Sequence, residues 1–136
     1  MLRSGLLIAI CGALSSCQFD AERLPLAPLP QDGTVLPYQQ VISRLKAQIN
    51  SAKDAHFLEQ WDVLETISQR LAESSSYLMR SADLPIEHRA RIQKDSVQIN
   101  NAIRNLQKAA KTKNQPASLE MIRLLHNTIC DLEEIK

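Results

Sequence analysis

Glycine is scarce in this chain, with 3 in 136 residues, and aromatic residues make up only 4% of it. The first shortage removes the Gly-rich loops that cradle phosphates and nucleotides. The second, together with the lack of apolar–polar alternation, removes the strand pattern. Charge of one sign is missing too: 16 Lys+Arg oppose 15 Asp+Glu, interspersed rather than blocked, for a formal net charge of +1. A phosphate-neutralising surface therefore has no electrostatic support, no nucleic-acid partner is expected, and a strongly acidic partner is equally unsupported. Long apolar runs are absent as well. The longest uncharged, largely apolar stretch, residues 5–14, falls well short of the roughly 20 residues that a permanent transmembrane helix needs. What remains is rich in Ala, Leu, Gln, Glu, Lys and Arg, whose unbranched side chains lose little rotamer freedom on a helix, so one small all-α domain with appendages is predicted.

Residues 1–16 read as an address rather than as fold. Arg3 supplies a positive start and residues 5–14 an uncharged, apolar core of signal-peptide length. The segment Leu14-Ser15-Ser16-Cys17 then resembles the lipobox of bacterial lipoproteins. That resemblance implies a diacylglyceryl thioether on Cys17 and cleavage before it, leaving a chain held to the membrane by several acyl groups, since one chain alone anchors only marginally. An ordinary secretory signal cut after Ser15 or Ser16 is the alternative. Gln18 stands where an Asp resembles an inner-membrane retention signal in enteric bacteria, which favours an outer-membrane, periplasm-facing location. Loss of Arg3 and Cys11 with the signal leaves 15 basic against 15 acidic residues. Cys130 is then the only free thiol, and no internal disulfide can form.

Residues 17–37 carry four of the six prolines, at 25, 28, 30 and 37. Such spacing favours an extended tether that would hold the folded part some tens of ångströms from the lipid, at about 3.1 Å per residue. Alternatively, Leu24, Leu26, Leu29, Val35 and Leu36 strap across the domain.

From Tyr38 to the end, apolar residues recur at three- and four-residue steps. Val41/Ile42, Leu45, Ile49 and Ala52 form one stripe; Leu58, Trp61, Leu64, Ile67/Ser68, Leu71, Ser75 and Leu78 form the next. A capping-box-like Ser51/Asp54 pair marks their boundary, though one helix from 38 to about 81 is the alternative. Asp83-Leu84-Pro85 is expected to end the second helix and start the third, with Ile92, Ser96, Ile99, Ile103, Leu106 and Ala110 as its stripe. Pro116 repeats the device before Leu119, Ile122, Leu125, Ile129 and Leu132. Short links imply antiparallel neighbours, so residues 38–136 are predicted to form an up-down four-helix bundle.

Chemistry concentrates on the last helix. His126 and Cys130 stand four residues apart on one side and could ligate zinc or copper. The plainer alternative is a boundary histidine with hydrogen-bonded nitrogens beside a small buried thiol. Trp61 near the start of the second helix, Pro85 opening the third, the Ala109-Ala110-Lys111-x-Lys113 exit and the Leu-rich final helix resemble the cytochrome c-prime class of periplasmic four-helix proteins. That resemblance implies haem attached through C-x-x-C-H on the last helix. Residues 127–131, Asn-Thr-Ile-Cys-Asp, keep only the second cysteine, so the resemblance implies a haem-less or altered relative. Non-covalent haem held by His126 and Met79 is the remaining cofactor possibility, because Met121 shares a helix with His126. Glu133 and Glu134 adjoin and do not converge, and a His126/Cys130 nucleophile pair lacks an orienting third group and oxyanion donors, so no enzyme activity is expected. Glu59, Asp62, Glu65, Arg70, Glu73 and Arg80 read as a solvated helix face. The sequence therefore predicts a lipid-anchored, non-enzymatic envelope module for an envelope protein partner, with a haem or metal carrier as the second reading.

Overall fold

Amphipathic periodicity and proline placement build the architecture seen in a computed structural model, which describes residues 26–135. The signal segment and Cys17 lie outside the described residues. Four helices follow one another: α1 (Tyr38–Phe57), α2 (Trp61–Ser75), α3 (Arg89–Lys111) and α4 (Gln115–Glu133). Each packs on its neighbours in the order α1–α2–α3–α4, and α4 closes the ring on α1. This is an all-α, up-down four-helix bundle. Among the described residues, no helix is long and apolar enough to cross a membrane.

The predicted stripes form the core. Ile42, Leu45, Ile49, Leu64, Leu71, Ile92, Ile99, Ile103, Leu106, Ile122, Leu125 and Ile129 are essentially inaccessible to solvent. Each such side chain contributes about 1.5–3 kcal/mol through its removal from water. Two stripes overshoot the core. Leu58 and Leu119, their leading members, are exposed because they stand where the helices turn and, among the described residues, no element covers them.

The first boundary lies at 58–60, later than the Ser51/Asp54 pair suggests. Ser51 Oγ bonds back to the Ala47 carbonyl at 3.2 Å inside an unbroken α1, so it caps nothing. Instead Glu59 takes φ 55°, Glu59 N donates to His56 O at 3.1 Å, and Gln60 N donates to Ala55 O at 2.8 Å. This is a Schellman closure with a glutamate where glycine is usual. The α3–α4 turn repeats it: Lys113 has φ 52°, its amide donates to Ala110 O at 3.1 Å, and Asn114 N donates to Ala109 O at 2.9 Å. Asn114 also caps α4, its Oδ1 accepting from Ala117 N at 3.1 Å, with Pro116 in the first turn.

The second helix stops at Ser75, earlier than Asp83-Leu84-Pro85. Ser75 and Ser76 hydroxyls bond back to Ala72 O and Glu73 O at 2.9 and 2.6 Å, offering the backbone an alternative to the helical ladder. Ser75 Oγ also stands 2.8 Å from Asn100 Oδ1, the one hydroxyl proton serving either acceptor, which ties α2 to α3. Short 3-10 turns at Leu78–Arg80 and Ile86–His88 complete the connection, the latter winding from Pro85 into α3. Asp83 also acts at a distance. Its Oδ1 accepts from the Tyr38 backbone amide and so caps α1 from 45 residues away.

Candidate functional site

Two places bring polar groups together. The first is the seam between α1 and α4, where His126 and Cys130 lie as the i,i+4 spacing predicts, Cys130 Sγ standing 3.8 Å from His126 Nε2. Lys53, projecting from α1, reaches His126 Nδ1 at 3.0 Å. An ammonium can only donate, so Nδ1 accepts and the neutral ring carries its proton on Nε2, directed toward the sulfur. Burial, reinforced by Lys53 and Lys46, holds this imidazole below the ordinary histidine value. Lys46 in turn bonds Glu133 Oε2 at 2.6 Å, and that carboxylate raises the lysine above its usual range. Metal ligation would need the Nε2 proton displaced beside two ammonium groups. Among the described residues, no group of three or more His, Cys, Asp or Glu side chains is placed to hold a metal ion.

Met79, the second haem-ligand candidate, stands on the 3-10 turn Leu78–Arg80, which packs on α3 and α1. Of the other histidines, His56 is buried where α1 ends; its Nδ1 pairs with Ser118 Oγ at 2.9 Å, and the Trp61 ring meets it edge-on at 6.1 Å.

The second place is a groove on the α1/α2 side, roofed in part by residues 26–37. Polar contacts lay these residues on the bundle: Tyr77 OH donates to Pro30 O at 2.9 Å, Ala82 N donates to Leu36 O at 3.0 Å, and Arg44 Nη1 donates to Ala27 O, while Leu26 and Val35 stay exposed and Leu24 lies outside the described residues. Arg44 Nε also holds the buried Ser74 hydroxyl at 3.2 Å. The groove encloses about 1390 Å³. Leu29, Ile67 and Val63 give it apolar walls, while Arg70, Arg80 and Glu73 line its rim. Gln48 lies in its wall, only 5% exposed, and its Oε1 has no hydrogen-bond partner. A buried carbonyl left unpaired costs about 1–3 kcal/mol, a penalty that an incoming N–H would remove.

Comparison with protein-family models, with curated proteins and with solved structures gives no match. The geometry of the bundle therefore carries the functional argument.

Sequence reasoning missed Gln48 and Lys53. Gln48 did leave a signal, since it stands three residues after Leu45 and four before Ala52, a polar residue on an apolar stripe. Lys53 left none, because its partner on α4 is set by how two helices meet.

Proposed function

We propose that this chain is a lipid-anchored envelope protein, attached through Cys17, whose four-helix bundle acts as a non-enzymatic binding module for an extended segment of a partner protein. The unpartnered Gln48 carbonyl in the strap groove carries this reading. An extended backbone presents N–H groups at regular intervals, one of which satisfies that carbonyl once the Gln48 side chain turns into the groove, while its side chains fill the Leu29–Ile67 wall. Two arginines against one glutamate at the rim favour acidic side chains in the partner. The lipobox resemblance supports the anchoring half of the reading.

The test uses a photoreactive side chain placed at Val63, on the groove, or at Val97, an exposed position on α3. A partner captured in the envelope from position 63, absent from position 97 and lost in Gln48→Leu, is expected. Removing an unsatisfied buried carbonyl leaves Gln48→Leu as stable as the wild type or about 1 kcal/mol more so, which separates lost binding from lost fold. Equal capture from both positions refutes the groove. For the anchoring half, Cys17→Ala is expected to move the protein from the membrane to the soluble fraction; identical fractionation of both forms removes it.

A carrier reading has one observation in its favour, the 3.8 Å approach of Cys130 to His126, and Lys53 weighs against it. Zinc or haemin bound at one equivalent and lost in His126→Ala would promote it over the binding module.

A further inference from the structure

The two Schellman turns lie side by side at one end of the bundle, joined by the His56–Ser118 bond. This end carries a concentration of large apolar side chains left in water: Phe57 is 84% exposed, Leu58 60% and Leu119 46%. Trp61, the only tryptophan, is half-buried in the same turn region. The opposite end exposes Val35 and, among Glu87, Arg89 and Arg91, Ile86, fewer apolar residues and in a more charged setting. Burial explains none of the first group. Phe57 and Leu58 stand beside a backbone whose hydrogen bonds close without them.

Chain length puts the bilayer within reach of this end. The strap does not stand away from the bundle: Arg44, six residues into α1, holds the Ala27 carbonyl. Nine chain steps lead from Cys17 to Leu26 and span at most about 30 Å fully extended. From Arg44 to Phe57 is thirteen helical residues, about 20 Å. An acyl group on Cys17 therefore keeps the bundle within contact distance of the bilayer, and the leash reaches the turn end with length to spare.

We infer that the turn end of the bundle, through Phe57, Leu58 and Leu119, docks on the lipid bilayer to which Cys17 is attached. This rests on the anchoring reading above. Glu59, Asp62, Lys113 and Glu120 around the patch mix both signs, so the surface it fits is a neutral headgroup layer entered by apolar side chains, with no attraction to anionic lipid required. Bound in this way, the bundle presents its flank, and with it the strap groove, alongside the membrane.

Trp61 supplies the readout. The full chain, isolated from cells, is reconstituted into phosphatidylcholine vesicles with and without brominated acyl chains, and Trp61 emission is recorded. Bromine quenching and a shift of emission to shorter wavelength are expected. Phe57→Ser combined with Leu58→Ser should abolish both, while Val97→Ser, an apolar position on α3 about as exposed as Leu58, should change neither. In the unlipidated Cys17→Ser form, each serine should weaken partitioning into these vesicles about tenfold. Because all the substituted side chains are exposed, unchanged helicity by circular dichroism is expected in every variant. Acyl label on Cys17 without Trp61 quenching overturns the docking and leaves the anchor. Absence of acyl label overturns both. Dimerisation in lipid-free solution that disappears in the double serine variant overturns the docking in favour of a second copy as the cover.

Discussion

The two ends of the bundle are closed in different ways. At the turn end, each helix pair is joined by a three-residue link whose hydrogen bonds come from its own neighbours, and the side chains above it are left in water. At the other end, closure comes from residues far apart in sequence. Asp83 caps Tyr38, the Tyr38 hydroxyl donates to Leu132 O at 2.9 Å, Gln39 Nε2 donates to Ile135 O at 3.2 Å, and Ala82 donates to Leu36 O. Local closure leaves a surface free for other work, whereas distant closure consumes its side chains in holding the ends of the chain together. Stability should therefore be unevenly distributed: substitutions at the terminal end should be felt throughout, and those at the turn end should be nearly silent unless they alter the backbone.

Tyr38→Ala against Phe57→Ala is the sharpest contrast. Both delete a ring from the same helix, but Tyr38 is buried and Phe57 is in water. Denaturant unfolding is expected to show a loss of about 3–5 kcal/mol for the first and less than about 0.5 kcal/mol for the second. Similar losses would erase the distinction between the ends.

Alkali probes the same residue. Burial pushes the Tyr38 phenol up to about 12 from an ordinary 10, with Asp95 adding to and Arg91 opposing the shift. A pKa raised on folding gives stability that is full below pH 10 and lost as pH rises through 12, by about 2–3 kcal/mol when complete. Tyr38→Phe should start about 1 kcal/mol lower at neutral pH and show a shallower decline in that window. An unchanged alkaline limb would place the ionisation elsewhere.

Asp83→Ala leaves the first turn of α1 without its cap and is expected to cost about 1 kcal/mol in thermal or chemical unfolding. No change would mean that Pro37 and solvent close that helix unaided.

At the turn end the expected sign reverses. Glu59→Gly and Lys113→Gly relieve left-handed residues in otherwise complete turns, so each should stabilise by about 0.5–1 kcal/mol. Destabilisation by either would mean that the side chain contributes more than the strain it carries.

The smallest effect belongs to His126. Its folded-state pKa is depressed, so stability present above the unfolded value near 6.5 is lost as pH falls through the folded value. His126→Gln should flatten that acid limb of the melting temperature, and an unaltered limb would show that the ring titrates freely.

The same contrast between local and distant closure marks how far the sequence could be read. Helical periodicity survives translation into structure because burial selects it, and stripes such as Ile92–Ile99–Ile103–Leu106 were legible residue by residue. Pro116 announced the α3–α4 turn. Its twin at 58–60 was hidden, since the left-handed position that usually takes glycine holds Glu59. The end of α2 was obscured by serines whose back-bonding competes with the helix. His126 and Cys130 could be paired by spacing alone; Lys53 could not, because its meeting with His126 depends on the register between α1 and α4. The strap groove needed the path of residues 26–37, which proline content describes as extended without saying where it lies.

One consequence of the terminal-end bonds concerns time. A ribosome releases this chain from the amino end, so Tyr38 emerges long before Asp83 and longer still before Leu132. The first helix thus waits for the last residues to be made before its opening amide and its tyrosine hydroxyl find their partners. Until then the nascent chain has no finished terminal end, and closure of the bundle follows completion of synthesis.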